Sequence, residues 1–387
     1  MSIRRAAAIV GVYEHPGRRL PDHSLAQIHA ECAVGAVRDA GLSLDDVDAY
    51  FCGGDAPGFG GISMAEYLGL RLRWVDSTET GGSSYLSHVG HAAAAIAAGK
   101  CSVALITLGG RPYSSRIARP LDLEAPELAF EQPYGMTAAP AAYALAAQRH
   151  MYEYGTTSRQ LAEVRVTASR HAQYNPHAVH QEVVTADEVT DSPLVADPLH
   201  RLDCCVVTDG GGAIVMTSPS VARNLPRRRV QVLGHGEAPK HANNGRIDLT
   251  YSGARWSGPA ALREAGISLA DVDYAGLYDS FTFTVIQQIE DLGFCGPGEG
   301  GKFVLEGALE APHGRLPFNT DGGGLCNNHP ANRGGITKII EAVRQLRGEA
   351  HPALQVPDCE IALVQATGGY LGTRMGSATL VLGREDA

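Results

Sequence analysis

Two short stretches carry the residues best suited to moving protons. In Leu277-Tyr278-Asp279-Ser280-Phe281-Thr282 an apolar run stops at a phenol followed by a carboxylate. In Cys326-Asn327-Asn328-His329-Pro330-Ala331-Asn332-Arg333-Gly334-Gly335 a thiol stands three residues before an imidazole, in a loop of small and polar residues. Imidazole titrates close to neutrality and serves as general acid or base. A phenol, with an ordinary pKa of about 10, needs a neighbouring charge to do the same. Each candidate also has a plainer reading. A tyrosine ending a core strand is usually packed, a loop histidine is often bonded to backbone, and a buried cysteine is usually inert.

A third stretch, Val75-Asp76-Ser77-Thr78-Glu79-Thr80-Gly81-Gly82-Ser83-Ser84-Tyr85, offers a carboxylate and two serines beside a glycine turn. A serine nucleophile needs a paired base. His88 is five residues beyond Ser83, and His91 lies seven beyond Ser84, two helical turns or about 10 Å by rise. Ser83 and Ser84 therefore read as helix caps. Glu79 reads as a general base or as a carboxylate at a helix N-terminus. Backbone N–H groups at Gly81-Gly82 and Gly368-Gly369 are candidates to hold an oxyanion, with Tyr370 as a lining residue. Neither a G-x-x-x-x-G-K-[ST] nor a strand-linked G-x-G-x-x-G occurs, so nucleotide folds are disfavoured. No C-x-x-C or H-x-x-x-H spacing occurs, and His171, His177 and His180 read as hydrogen-bonded or solvated, so no metal is expected.

The elements that must position these groups repeat. Ala40-Gly41-Leu42-Ser43-Leu44-Asp45-Asp46-Val47-Asp48 returns as Ala265-Gly266-Ile267-Ser268-Leu269-Ala270-Asp271-Val272-Asp273. A helical stretch precedes each Ala-Gly, and a strand-like run follows each copy. Cys101–Thr107 leading to Gly109-Gly110 likewise matches Cys359–Gln365 leading to Gly368-Gly369, as buried central strands do. Two copies of an alternating βαβ pattern predict two α/β layers about a pseudo-twofold axis. The halves divide at about 1–225 and 226–387. Residues 114–200 have no counterpart in the second half and read as an insertion over the active site, with a helix from Pro140 to Tyr154.

Composition sets the outer limits. The 387 residues exceed one small core. A formal charge of −10 without a long Lys/Arg run argues against nucleic acid. The apolar N-terminal stretch is one strand long, too short for membrane insertion, and eight cysteines without paired spacing suit a reduced, cytoplasmic protein.

Several motifs in order resemble the thiolase superfamily. Leu202-Asp203-Cys204-Cys205 and Thr208-Asp209-Gly210-Gly211 resemble the end of its first half. Asp291–Cys295, Gly298–Gly301, Leu316–Gly324 and His329-Pro330 resemble its second. His150–Thr157 is similar to the sterol-carrier branch, often called lipid-transfer proteins. The resemblance implies a duplicated five-layered αβαβα fold with an inserted loop region, a homodimer, and acyl-CoA substrates with no cofactor besides that CoA. It implies that His329 points into the active site. It also places the family's nucleophilic cysteine near Glu79, where this chain has none, and leaves Cys326 as the one plausible substitute.

The Tyr278 motif further resembles the thiolase-like aldolases of steroid side-chain degradation, which also lack the cysteine. This implies retro-aldol cleavage of a β-hydroxyacyl-CoA, with Tyr278 and His329 as proton carriers and Asp279 beside them. Two alternatives stay open: an acetyl-CoA acyltransferase with a non-standard nucleophile, and a non-catalytic acyl-CoA-binding subunit. Many chains of this branch also work with a small zinc-ribbon/OB-fold partner.

Overall fold

The computed structural model describes residues 2–115, 132–135, 139–240, 248–330, 334–369 and 376–386. Both copies of the repeated motif fold alike. Helix α1 (Leu25–Ala40) starts where the Ser24 hydroxyl accepts the Gln27 N–H, and it stops at Gly41 with φ 72°. A one-turn 3₁₀ helix with a Ser43/Asp46 capping box then leads into a strand. In the second copy the helix Ala254–Ala265 stops at Gly266, φ 67°, followed by a Ser268/Asp271 box and a strand.

Eleven strands lie among the described residues: β1 (Ala8–Glu14), β2 (Ala49–Cys52), β3 (Trp74–Asp76), β4 (Val103–Gly110), β5 (Leu194–Ala196), β6 (Leu199–His200), β7 (Gly210–Thr217), β8 (Val230–Glu237), β9 (Tyr274–Leu277), β10 (Ile361–Gly368) and β11 (Gly376–Gly383). Nine run in the order β3-β2-β4-β7-β1-β8-β11-β10-β9, and β5 and β6 form a separate hairpin. Outward from the β1–β8 junction, the two sides repeat one plan. The first neighbours pair antiparallel (β1–β7, β8–β11), then antiparallel again (β7–β4, β11–β10), then parallel (β4–β2, β10–β9). The junction itself is two residue pairs, Ala8 with Gln231 and Ile9 with Val230.

The central strands are apolar on both faces, which explains their continuous hydrophobic runs. Ala104, Ile106 and Leu108 of β4, with Ala362, Val364 and Ala366 of β10, face an inner core. That core also holds α2 (Ser84–Ala97) and the helix Gly335–Arg347, so two helices lie between two sheet layers. Val103 and Leu105 face an outer layer containing α1. Ile361 and Leu363 face another outer layer, which holds Ala254–Ala265, Thr282–Leu292 and two helices from the 114–200 segment. The result is the five-layered αβαβα thiolase architecture expected from the sequence. The helix expected from Pro140 spans Ala139–Tyr154 and is followed by Ser158–Ala172. Helices are numbered in chain order from here: α3 (Ala139–Tyr154), α4 (Ser158–Ala172), α5 (Ala254–Ala265), α6 (Thr282–Leu292) and α7 (Gly335–Arg347).

Candidate active site

Tyr278 follows the last residue of β9, and its backbone is fixed from two sides. Its N–H donates to the Gln365 carbonyl at 2.9 Å, and its own carbonyl accepts from the Gln288 side chain of α6 at 2.6 Å. The phenol is thereby held at a cavity of about 600 Å³. His329 arrives from the opposite side. Its N–H donates to the Thr208 hydroxyl, which in turn donates to the Asn328 side chain. Tyr278 Oη and His329 Nε2 lie 3.0 Å apart, both facing that cavity.

Burial sets the protonation of this pair. Removal from water pushes the His329 imidazole down to about 4, and the nearby Lys338 ammonium pushes the same way. Burial also raises the Tyr278 phenol well above its ordinary range, with Tyr143, Cys205 and Asp279 adding to it, while a Gly334 N–H donated to the phenol opposes the rise. At neutral pH the pair is therefore a protonated phenol and a neutral imidazole; in the tautomer with hydrogen on Nδ1, the phenol donates to Nε2. A proton taken by the phenol oxygen can pass along that bond to the imidazole.

The first half contributes backbone rather than reactive side chains. Glu79 is exposed at the cavity rim, and its carboxylate accepts N–H groups from Gly81 and Gly54. It braces a turn, and the Gly81 N–H is consumed in doing so. The two serines differ from simple helix caps. The Ser83 hydroxyl donates back to the Thr80 carbonyl, and Ser84 accepts the Thr80 N–H, so both bind the turn instead of the first helical N–H groups. His88 Nε2 faces the Thr78 carbonyl at 2.9 Å and makes no serine pair.

Gly82 fits only because it lacks Cβ: such an atom would stand 2.2 Å from the Thr367 carbonyl and 2.6 Å from the Tyr278 ring. A Cβ on Gly368 would lie 1.5 Å from the Thr80 carbonyl. The two glycine turns, one from each half, thus touch at the cavity floor, where Gly369 also lines the space. Tyr370 lies outside the described residues.

Cys326 is elsewhere. It has no exposure, packs in the outer core of the second half, and burial pushes its thiol up to about 12. Asp279 is buried beside the cavity rather than lining it. It accepts the N–H groups of Gly324 and Leu325 and pairs with Lys338 at 2.8 Å. Sequence reasoning passed over Tyr143, Cys205 and Thr367 as lining groups. Tyr143 of α3 donates to the Gly369 carbonyl, and its ring lies 4.5 Å from that of Phe281. Nothing in the sequence around Tyr143 marks it apart from other helix tyrosines.

A nucleophilic thiol needs its pKa lowered, and all eight cysteines show the reverse. Cys204 and Cys205 line the cavity, and burial pushes each up to about 12; the other six thiols are also raised. One cluster of metal-ligating types, His15, His23 and Glu31, occurs among the described residues, away from the cavity. His15 Nδ1 accepts the Gly17 N–H, so Nε2 carries hydrogen and meets Glu31 as a donor. Hydrogen bonding accounts for His15 and Glu31, while His23 stands 3.6 Å from Glu31.

Residues 236–384 match the family model described as thiolase C-terminal domain-like. The chain is 33% identical to an acetyl-CoA acetyltransferase of Methanothermobacter thermautotrophicus, covering 95% of this chain and 98% of the relative. It is also 33% identical to the 17-hydroxy-3-oxo-4-pregnene-20-carboxyl-CoA lyase of Mycobacterium tuberculosis, covering 97% and 99%. The solved structure of the Ltp2-ChsH2(DUF35) aldolase superposes with a TM-score of 0.90 at 31% identity, covering 99% of both chains. This chain belongs to the thiolase superfamily. Within it, the likeness is to the sterol-carrier and lipid-transfer-type branch that includes side-chain-cleaving aldolases.

Proposed function

We propose that this chain breaks the Cα–Cβ bond of a β-hydroxyacyl-CoA by retro-aldol cleavage, giving a carbonyl product and a shorter acyl-CoA. One observation carries the reading. The cavity presents a phenol–imidazole pair 3.0 Å apart, and every thiol around it is pushed away from the thiolate form. The substrate's β-hydroxyl gives its proton to the Tyr278–His329 pair, the Cα–Cβ electrons move to the thioester as an enolate, and a proton from the pair returns to Cα. Atoms balance without an acyl-enzyme or added CoA. N–H groups at the touching glycine turns, Gly82 and Gly369, would hold the enolate oxygen. Relatives described as a carboxyl-CoA lyase and a steroid side-chain-cleaving aldolase support this direction.

The acetyl-CoA acetyltransferase relative favours the second reading, thiolytic transfer. The two separate cleanly, because thiolysis consumes free CoA and retro-aldol cleavage does not. Incubation with a β-hydroxyacyl-CoA should release the carbonyl product at a rate independent of added CoA, and Tyr278→Phe should lower that rate by orders of magnitude. A strict CoA requirement, or an acyl adduct on any side chain, would replace the proposal with acyl transfer. As in the aldolase complex it resembles, the chain would work with a small partner subunit. It would pair with a second copy through a thiolase-type interface. Eight unpaired cysteines fit a reducing cytoplasm, and no helix among the described residues is long and apolar enough to cross a membrane.

A further inference from the structure

A lysine with almost no solvent contact lies under the active-site loop and has no part in the chemistry above. Lys338 sits on α7 beside Ile336, Ile339 and Ile340, with its side chain 2% exposed, and its ammonium lies 2.8 Å from the Asp279 carboxylate, itself 1% exposed. Burying such a pair costs several kcal/mol per ion unless further hydrogen bonds compensate. Asp279 receives them: the Gly324 N–H at 2.8 Å and the Leu325 N–H at 3.1 Å. Those residues belong to the π-helical turn Gly323–Asn327, closed by the Asn328 N–H on the Gly323 carbonyl, that delivers His329. Asp279 is also covalently next to Tyr278, and α7 begins just after Gly334, whose N–H reaches the Tyr278 phenol. Three elements that must agree to bring phenol and imidazole together therefore share one carboxylate and one ammonium.

We propose that the buried Lys338–Asp279 pair is a positioning device, locking the strand end that bears Tyr278 to the loop that bears His329. The proposal rests on the reading of those two groups as the proton-moving pair. It carries an electrostatic signature that packing alone would not. The charged and titratable groups facing His329 are Tyr278 just past β9, Asp279 beyond it, and Lys338 from α7; those facing Lys338 are Asp279, Asp321 and, further off, Glu14. The ammonium disfavours the imidazolium and the carboxylate favours it.

The test is the titration of His329 by NMR of the full chain labelled on histidine nitrogen, alongside the pH profile of turnover. Lys338→Met should move the His329 titration to higher pH and Asp279→Asn to lower pH, and turnover should fall on the order of a hundredfold in each as the pair loses register. Folded variants whose His329 titration stays in place would overturn the proposal. A titration that moves as stated while the acid limb of turnover does not follow would leave the positioning device intact and instead remove His329 from the chemistry. Should single variants not fold, the neutral pair Lys338→Met/Asp279→Leu avoids an unpaired buried charge. Wild-type turnover in that double variant would equally overturn the proposal.

Discussion

The two glycine turns that meet at the cavity come from equivalent halves, yet they are furnished differently. In the first half every polar group near the turn is spent on holding it. Glu79 accepts Gly81 and Gly54, Ser83 and Ser84 bind Thr80, and His88 faces the Thr78 carbonyl. In the second half the corresponding region brings in a phenol, an imidazole and a buried ion pair. On the proposed mechanism the duplicated fold assigns shape to one copy and proton chemistry to the other. The Tyr278–His329 contact is made without any group from the stretch around Glu79, so the absence of a thiol there leaves that contact in place.

The sharpest way to break this comparison is to remove reactive groups from each side in turn. His329→Ala should lower turnover by about 10²- to 10⁴-fold, the range for loss of a general base, with the fold retained. Glu79→Gln keeps a carbonyl to accept one backbone N–H and should change turnover by no more than about threefold. Steady-state kinetics on both variants checks the contrast. A larger loss at Glu79 than at His329 would reverse the assignment of the halves.

Next in size is the contact itself. Gly82→Ala places a methyl into the Thr367 carbonyl and the Tyr278 ring, so the turns must part. Overpacking of this kind costs about 1–3 kcal/mol and should also displace the phenol. Gly69→Ala is the control for destabilisation away from the cavity: its penalty comes from φ 69°, a strain Gly82 does not have, with open space around it. Thermal unfolding should show both variants destabilised, with turnover lost only in Gly82→Ala.

Much of this was legible in the residues, for identifiable reasons. The Ala-Gly-x-Ser repeat encodes a helix stop and a capping box locally, so both copies could be read without tertiary information. Double-sided burial leaves continuous apolar runs such as Val103–Ile106, which mark central strands. The site was harder. That Tyr278 and His329 touch depends on a contact 51 residues apart in sequence. Glu79 and Cys326 were plausible by type and spacing, but only the fold decides that one braces a turn and the other faces the core. Lys338 left a faint trace, a cation inside the isoleucine stripe of α7, and Tyr143 left none.

Acid should expose the difference between the halves through stability before it does so through folding defects in either. His88 in the first half and His329 in the second are both pushed down to about 4 by burial, as is His171, with His29 lower still at about 3. Each is neutral in the folded state down to that value, whereas an unfolded histidine protonates below about 6.5. Between those limits the unfolded chain binds more protons at these four histidines than the folded one, so their contribution to stability is full above about 6.5 and falls as pH drops toward 4. Asp291 and Glu341, raised to about 7 by burial, oppose the fall over the same window but are outnumbered, and His91, raised to about 10 by Asp76 and Glu237, adds stability that is lost only as pH rises above about 6.5. Tm measured across this window should decline, and His88→Gln should flatten the decline slightly while leaving the pH profile of turnover unchanged. His329→Gln should flatten both.

The smallest effect tests the thiols. Cys326 packs among apolar neighbours with no exposure, and its thiol is raised, so its sulfur contributes volume rather than reactivity. Cys326→Ala should cost about 1 kcal/mol or somewhat more in stability, for the small void it leaves, and should leave turnover within about twofold. Cys205 is the stricter case, because it lines the cavity and raises the Tyr278 phenol through its proximity. Cys205→Ser keeps a small polar group there and should preserve cleavage within about fivefold. Loss of all activity in Cys205→Ser, with the Tyr278–His329 contact intact in a structure of the variant, would return a thiol to the mechanism and erase the contrast between a structural first half and a reactive second one.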